Sequence, residues 1–180
     1  TTGKNIQLGY YDKQAKGEER MPYQDFHTKY IKRSLIFNYS KDKLLDLAVG
    51  QAGDLWSWNT AKIKEVVGID KDKKNIISQG GANDRYSKFH SRTNTPECTF
   101  LQGDSGHLLN NGSAAFLQSD KDALKQTFKD SPYFDTASIQ FAIHYLFEKE
   151  QSLRGFLDNV ARNLKTGGYL IGTTWDGDKI

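Results

Sequence analysis

The chain has 180 residues with 25 Lys or Arg, 22 Asp or Glu and a net charge of +3, a size that suits one compact domain. Its 26% charged and 12% aromatic residues exclude a disordered tail, and its single Cys98 excludes an intrachain disulfide and a cysteine-based structural zinc site. No apolar run approaches the roughly 18 residues of a membrane span and no signal peptide opens the chain, so we expect a soluble protein of a reducing compartment.

The first predicted elements are an N-terminal arm over residues 1–20 and a helix over 21–38. The arm is polar, whereas Phe26, Tyr30, Ile31 and Leu35 form an apolar stripe at helical spacing. A nearly continuous apolar run over 43–49 then predicts a buried parallel strand that leads into a glycine turn. Asp54 follows the turn and is predicted to cap a short helix.

Strands and helices continue to alternate along the rest of the chain. Further strands are predicted over 65–69, 98–101, 134–141 and 169–174, and further helices over 71–88, 120–128 and 149–164. The last helix has the clearest amphipathic pattern, and we expect it to stop at Gly167-Gly168. This alternation predicts an α/β fold, with a mostly parallel sheet and helices on both of its faces.

Small and polar residues follow the predicted strands at their carboxyl ends, where open α/β sheets bind ligands. Ala48 and Gly50 lie in the turn after the first strand, where their small size lets a ligand approach the backbone. Asp70 ends the second strand and is suited to accept hydrogen bonds from a ribose, while Asp104 after the third is suited to an amine such as adenine N6. The fourth strand and its exit carry Gln140, Phe141, His144 and Tyr145. Together these residues predict a nucleoside-containing cofactor.

Each of these residues also has a purely structural interpretation. The glycine turn can be only a turn, Asp70 can be the N-cap of the next helix, and Asp104 can be a turn residue. His144 can be a partly buried histidine whose hydrogen bonds are satisfied. The four histidines show no metal-ligand spacing, so no metal is expected.

The turn after the first strand favours S-adenosylmethionine over a dinucleotide. Dinucleotide folds use G-x-G-x-x-G to cradle a pyrophosphate, whereas the turn here reads A-V-G-Q-A-G-D over 48–54. A carboxylate at Asp54 would repel a pyrophosphate and attract a cationic amino-acid moiety. Asp46 inside the first strand also favours S-adenosylmethionine. A buried carboxylate is costly unless it has a partner, and the methionine end of this cofactor would be such a partner.

Four segments resemble the mRNA cap (guanine-N7) methyltransferases, particularly those of large DNA viruses, and the resemblance covers residues 26–175. The segments read I-K-R-S-L-I at 31–36, L-D-L-A-V-G-Q-A-G-D-L at 45–55, F-D-T-A-S-I-Q-F-A-I-H-Y at 134–145 and G-G-Y-L-I-G-T-T at 167–174. The resemblance implies the Rossmann-like, class I fold of S-adenosylmethionine-dependent methyltransferases. The turn departs from the family, whose two glycines and lysine are replaced by Ala48, Ala52 and Gln51.

The resemblance also implies roles for the matching residues. Those implied to bind S-adenosylmethionine, or its product S-adenosylhomocysteine, are Lys32, Asp46, Ala48, Gly50, Asp70, Asp104, Gln140 and Tyr145. Those implied to bind the cap are Thr28, Phe141, His144 and Tyr145. Because guanine N7 already carries an in-plane lone pair, methyl transfer would need no acid or base and would rest on proximity.

The same resemblance implies a methyltransferase domain over residues 21–180 that lacks the C-terminal strands of the family, and a start without Met indicates an excised or processed piece. The expected partner is RNA with a GpppN end, and no association with a membrane is expected. Triphosphatase and guanylyltransferase modules are expected on the same or a partner chain. We expect an intracellular location, in the host cytoplasm or virion for a viral protein and the nucleus for a cellular one. Two alternatives stay open: a methyltransferase with another acceptor, and a non-catalytic binding module of a capping assembly.

Overall fold

A computed structural model describes residues 22–93 and 96–179, so the predicted arm over residues 1–20 lies outside the described residues. All paired strands of the sheet run parallel, which confirms the predicted α/β class. The strands in chain order are β1 (Lys43–Asp46), β2 (Glu65–Asp70), β3 (Glu97–Gln102), β4 (Phe134–Gln140) and β5 (Leu164–Thr173). Their order across the sheet is β3-β2-β1-β4-β5, so the chain reverses its direction of travel across the sheet after β3.

Helices connect the strands and cover both faces of the sheet. The α-helices are α1 (Pro22–Phe26), α2 (Arg33–Tyr39), α3 (Leu55–Thr60), α4 (Lys73–Ile77), α5 (Ala82–Thr93), α6 (Gln118–Thr127) and α7 (Glu150–Asn163). Between α1 and α2 the chain forms a π-helix over His27–Lys32, and short 3-10 helices span Ile143–Glu148 and Gly177–Lys179. The helix predicted over 21–38 is therefore present, but its middle third is wound more widely than a regular α-helix.

Two predicted boundaries are wrong, and each error has a local cause. The single helix expected over 71–88 divides into α4 and α5, because Gly80 adopts a φ of 77° and the chain turns there. The last helix ends at Asn163, one residue before its predicted end and ahead of Gly167-Gly168, but the strand predicted to begin at Tyr169 begins at Leu164. Strand β5 begins at once with Leu164 opposite Phe134, and the register shift before Tyr169 leaves the two glycines in a bulge.

Alternating strand residues build one apolar layer on each face of the sheet. Leu44 and Val66 point to the face covered by α2, α3 and α5, where they pack with Ile36, Trp58 and Phe89. The neighbouring Leu45 and Val67 point to the opposite face, which α6 and α7 cover. Because both faces are buried, the polar residues of β1 and β2 lie only at the ends of these two strands.

The loop after β3 is held in place by the side of α7 that faces it. Asn159 is fully buried, and its side-chain amide donates to the carbonyl oxygens of Ser105 and His107 at 3.0 and 2.7 Å. Its side-chain oxygen accepts a hydrogen bond from the Leu109 amide at 2.9 Å. A Cβ atom added at Gly155 would lie 2.0 Å from the Gly106 carbonyl oxygen, so the loop approaches α7 at a distance that only glycine allows.

We expect Gly155→Ala to lower the free energy of unfolding by about 1–3 kcal/mol, because the added methyl group forces the loop away from α7. Helix propensity alone favours alanine over glycine by about 1 kcal/mol, so a loss of stability would be opposite in sign to the effect of propensity. The measurement is equilibrium denaturation by urea. The control is Gln151→Ala on the exposed side of the same helix, which should change stability by less than about 0.5 kcal/mol; a stabilised Gly155→Ala variant would contradict the close approach.

Candidate functional site at the carboxyl edge of the sheet

The residues predicted to bind ligand all lie at the carboxyl edge of the sheet. Asp46, Asp70 and Gln140 end β1, β2 and β4, while Asp104 follows β3. Ala48 and Gly50 lie in the loop after β1, Lys32 and Thr28 lie in the π-helix, and Phe141, His144 and Tyr145 follow β4. The loops are joined by hydrogen bonds from Val49 N to Ile69 O at 2.9 Å and from Ser105 Oγ to Leu47 O at 2.6 Å.

Asp70 orders the turn that follows β1. One of its carboxylate oxygens accepts from Gly50 N at 2.7 Å, and the other accepts from Asp72 N at 2.9 Å and Asn75 Nδ2 at 3.1 Å. The alternative in which Asp70 caps the next helix is wrong, because Asp72 caps α4 through a hydrogen bond from Lys74 N. Burial raises the pKa of Asp70 above its usual value.

Lys32 from the π-helix meets carboxylates from the β1 loop. Its Nζ lies 2.7 Å from an oxygen of Asp54, and the two side chains are only 15% and 11% exposed. Asp54 occupies the N-cap position of α3 but makes no capping hydrogen bond, so the predicted capping role is wrong in that respect. The side chain is engaged by Lys32 instead, which ties the N-terminal helical segment to the edge of the sheet.

Asp46 is the most deeply buried carboxylate of this edge. It is 2% exposed, and one of its oxygens accepts a hydrogen bond from Ala48 N at 3.1 Å. Burial, and then the neighbouring charge of Asp54, raises the pKa of Asp46 from 3.8 to about 7. Asp54, Asp70 and Lys32 all lie near enough to Asp46 to act on its charge, so this cluster holds three carboxylates and one lysine, an excess of negative charge that suits a cationic ligand.

The π-helix brings His27 to the same side as Lys32. Hydrogen bonds in a π-helix join residues five apart, so residues 27 and 32 lie one above the other, as they would not in an α-helix. His27 Nε2 lies 2.9 Å from Thr173 Oγ1, and its ring meets Phe141 edge-on at 4.3 Å. Burial, and then the positive charge of Lys32, lowers the pKa of His27 from 6.5 to about 4, so it is neutral at physiological pH.

Thr173 connects the ends of β4 and β5. Its hydroxyl donates to Gln140 Oε1 at 3.1 Å and accepts from Phe141 N at 3.2 Å. Phe141 itself has a φ of 54°, a left-handed conformation that is costly for an aromatic residue. Its ring lies 5.1 Å from that of Trp175, which is 44% exposed, so aromatic rings line this end of the site.

The structural alternatives for Asp104 and His144 have different outcomes. Asp104 does serve the turn, because one of its oxygens accepts from Gly106 N at 2.9 Å, while its other oxygen lies 3.8 Å from His107 Nδ1. His144 is not a satisfied buried histidine, because its Nδ1 is buried without a hydrogen-bond partner among the described residues. Burial lowers the pKa of His144, and its ring packs 4.2 Å from that of the exposed Tyr145.

The sequence reasoning assigned no role to three residues that contact the predicted site, His27, Thr173 and Trp175. His27 was hidden because an α-helical periodicity does not place it beside Lys32. Thr173 ends β5, and Trp175 lies two residues beyond it. Thr173 contacts the end of β4, and Trp175 contacts Phe141 and α1, but these partners are distant in the chain, so no local sequence pattern indicates the contacts. Within residues 22–93 and 96–179, no group of three His, Cys, Asp or Glu side chains is arranged to hold a metal ion, and no helix is long and apolar enough to cross a membrane.

A model of the mRNA (guanine-N(7))-methyltransferase domain family matches residues 23–180. A probable mRNA-capping enzyme of Acanthamoeba polyphaga mimivirus is 31% identical over 181 residues, 96% of this chain and 15% of that protein. The mRNA cap guanine-N(7) methyltransferase of Caenorhabditis elegans is 36% identical over 141 residues, 77% of this chain and 32% of that protein. The chain thus spans a third or less of the length of these curated relatives.

Solved structures share the fold. The PH0226 protein from Pyrococcus horikoshii OT3 has a TM-score of 0.56 at 18% identity, covering 89% of this chain and 62% of that one. An S-adenosylmethionine-dependent methyltransferase from Clostridium acetobutylicum ATCC 824 has a TM-score of 0.51 at 19% identity, covering 90% of this chain and 53% of that one. The fold is that of class I S-adenosylmethionine-dependent methyltransferases, as predicted.

We expect Asp46→Asn to stabilise the chain at neutral and higher pH but not in acid. The folded-state pKa of about 7 exceeds the unfolded value of 3.8, so folding favours the protonated form and wild-type stability falls as pH rises between these values. Asparagine carries no charge, so the difference should be near zero below pH ~4 and reach about 2–4 kcal/mol at pH ~8. Urea denaturation across this range measures it, and a difference independent of pH would contradict the assignment.

We expect Lys32→Gln to lower the free energy of unfolding by about 2–3 kcal/mol, because it leaves the Asp54 carboxylate buried without its partner. Asp54→Asn in the same chain should recover much of that loss, which a double-mutant cycle by urea denaturation measures. The matched control is Lys29→Gln, whose ion pair with Asp25 is 56% and 41% exposed and should contribute less than about 1 kcal/mol. Equal effects of the two lysine variants would exclude a special role for the buried pair.

Proposed function

This chain belongs to the mRNA (guanine-N7)-methyltransferase family, and on that premise we propose that it transfers a methyl group from S-adenosylmethionine to N7 of the guanine cap of mRNA. The observation that carries the proposal is the meeting, at one edge of the sheet, of a carboxylate-rich cluster and an aromatic segment. The first, around Asp46 and Asp54, suits a cationic cofactor. The second, around Phe141 and His144, suits a planar base.

The described residues fit the methyl donor that a methyltransferase family implies. S-adenosylmethionine carries a sulfonium and an ammonium group, and these would offset the negative charge that Asp46, Asp54 and Asp70 hold around Lys32. A dinucleotide pyrophosphate would add negative charge to the same cluster and be repelled. The donor set of this edge therefore supports a cationic cofactor.

We assign the cofactor contacts to the residues that the sequence predicted. In this proposal Lys32 is near the cofactor carboxylate, Asp46, Ala48 and Gly50 line the methionine moiety, Asp70 accepts from the ribose, and Asp104 accepts from the adenine amine. Gln140 and Tyr145 border the cofactor on the side of β4. The hydrogen bond from Gly50 N to Asp70 supports this division, because it holds the turn and the carboxylate together as one unit.

The proposed methyl transfer requires that the two reactants be oriented and that charge be stabilised, and it requires no proton transfer. The cofactor would supply an electrophilic methyl group on its sulfonium, and guanine N7 presents a lone pair that carries no proton. Orientation of two reactants supplies roughly 7–11 kcal/mol, and aromatic faces at Phe141 and Tyr145 would stabilise the positive charge of methylated guanine by about 0.5–2 kcal/mol.

We propose that Thr28, Phe141, His144 and Tyr145 contact the cap. The buried, unpartnered Nδ1 of His144 supports a ligand-facing role, and the 71% exposed ring of Tyr145 beside it is free to pack on a base. The basic side chains of the π-helix, Lys29 and Lys32, are the candidates for the triphosphate bridge.

The partner in this proposal is RNA with a GpppN end. The similarity to a probable mRNA-capping enzyme that is several times longer supports triphosphatase and guanylyltransferase modules on the same or a partner chain. We place the activity inside the cell, where such RNA is made: the host cytoplasm or virion for a viral chain, and the nucleus for a cellular one.

A second candidate is a non-catalytic or differently specific S-adenosylmethionine-binding module of a capping assembly. The observation that favours it is the altered turn after β1, in which Ala52 adopts a φ of 53° that glycine adopts without strain. Ala52 is also buried, so its methyl group fills space beneath the turn. This candidate predicts cofactor binding without turnover.

The test is methyl transfer from labelled S-adenosylmethionine to GpppA-capped RNA, with mapping of the labelled base. We expect label at guanine N7. Tyr145→Ala should slow transfer by about 2- to 30-fold, the range of a cation–π contact, and His144→Ala should also slow it. The control is Tyr169→Ala, a partly exposed tyrosine in the middle of β5 that packs on Tyr39, and it should retain the wild-type rate.

Calorimetry with S-adenosylhomocysteine separates the two candidates if no label is transferred. Binding without transfer would favour the non-catalytic module. The absence of both binding and transfer would overturn the cofactor assignment. Full activity in the His144→Ala and Tyr145→Ala variants would overturn the proposed cap site while leaving the cofactor site intact.

A further inference from the structure

A groove between α2 and α3 takes no part in the site described above. Its volume is about 350 Å³, within the range of small-ligand pockets. One wall is formed by Arg33, Ser34, Phe37 and Asn38 of α2, and the other by Trp56 and Ser57 of α3. We call it the α2–α3 groove.

Two large aromatic rings in this groove are exposed. Phe37 is 64% and Trp56 is 58% exposed, whereas Ile36 of α2 and Trp58 of α3 are buried in the core. Trp56 also packs edge-to-face on Phe89 at 4.8 Å, which holds its indole in one orientation. Aromatic rings that are exposed but held in place form a ready surface for a planar ligand to stack on.

The polar side chains of the α2–α3 groove favour an anion over a cation. In the part of the chain that the structure describes, the Arg33 guanidinium makes no ion pair and no hydrogen bond, and no acidic side chain lines the groove. The side chains of Ser34, Asn38 and Ser57 likewise make no hydrogen bond to described residues. A free guanidinium suits a phosphate, and hydroxyl and amide groups suit sugar and base edges.

The groove begins at the candidate site. Lys32 directly precedes α2 and Asp54 directly precedes α3, so their 2.7 Å ion pair joins the starts of both helices at the carboxyl edge of the sheet. Helix α2 runs from there toward the amino ends of the strands, since Thr136 near the start of β4 donates to the carbonyl oxygen of Tyr39. Helix α3 runs the same way, since Lys64 N, shortly after it, donates to the carbonyl oxygen of Asp42 just before β1. A seven-residue helix spans about 10 Å, the length of one or two nucleotides.

We propose that the α2–α3 groove binds the single-stranded RNA that follows the cap, with a base stacked on Phe37 or Trp56 and a phosphate on Arg33. The combination of two aromatic rings, one guanidinium and neutral polar groups is that of single-strand nucleic-acid sites. A helix of a partner protein would instead need a continuous apolar stripe, which the interposed Ser34, Asn38 and Ser57 interrupt. The inference rests on the proposed function, because it takes capped RNA as the substrate.

The test measures binding of the 180-residue chain to a 3′-labelled, GpppA-capped decanucleotide by fluorescence anisotropy, with unlabelled GpppA as competitor to report the cap site alone. Phe37→Ala and Trp56→Ala should each weaken binding of the decanucleotide about fivefold or more. Neither should change the affinity for GpppA or for S-adenosylhomocysteine. Phe116→Ala, which removes an exposed aromatic side chain from a loop outside the groove, is the matched control and should change nothing.

Salt dependence tests the phosphate contact. Arg33→Gln should reduce the slope of log K against log salt concentration by about 0.7 for the decanucleotide, the value for one phosphate of a single strand. Arg92→Gln, at an exposed arginine on α5, should leave the slope unchanged. Wild-type decanucleotide affinity in the Phe37→Ala and Trp56→Ala variants would overturn the inference and leave the groove to a protein partner. Failure of the proposed function would show differently, as an absence of S-adenosylhomocysteine binding and of methyl transfer in the wild-type chain.

Discussion

The ion pair between Lys32 and Asp54 is the contact on which the arrangement of the candidate site depends. It joins a helical segment that precedes the sheet to the loop after the first strand, and both side chains are largely buried. A buried pair of this kind adds little net stability, but it is costly to break, because either partner alone would remain as an uncompensated charge. The pair therefore acts mainly as a positional constraint, one that holds His27 against Thr173 and opens the α2–α3 groove at the same point.

The charge around this pair is unbalanced in a way that favours function over stability. Asp46 is buried next to it and Asp70 lies near Asp46, and burial raises the pKa of both. A fold selected for stability alone would replace Asp46 with an apolar or amide side chain, since nothing in the packing of β1 requires a carboxylate there. Sites where a protein departs from its most stable arrangement are commonly those where a ligand binds, and a cationic cofactor would balance the excess negative charge.

The helical segment that carries Lys32 also connects the two surfaces proposed to bind substrate. Its π-helical turn directs His27 and Lys32 toward the carboxyl edge of the sheet, while the α-helical turn that follows directs Arg33 and Phe37 into the groove with Trp56. π-helical turns are rare and occur frequently at functional sites, because they shift the side chains on either side of them onto different faces. One short segment can thus contact both the cap end and the RNA that follows it.

The amino-acid sequence by itself determined the class of fold, the order of its strands and which residues lie at the carboxyl edge of the sheet, because alternating apolar runs and glycine turns are local signals. Asp46, Asp70, Asp104 and Gln140 could be predicted together since parallel strands bring their carboxyl ends to one edge. Only the tertiary structure decided the partners of these residues. It turned Asp54 from a helix cap to a partner of Lys32, brought His27 to Thr173, and began the last strand at Leu164 instead of at Tyr169. These outcomes depend on contacts between residues far apart in the chain and on a π-helical turn, and neither leaves a periodic pattern in the sequence.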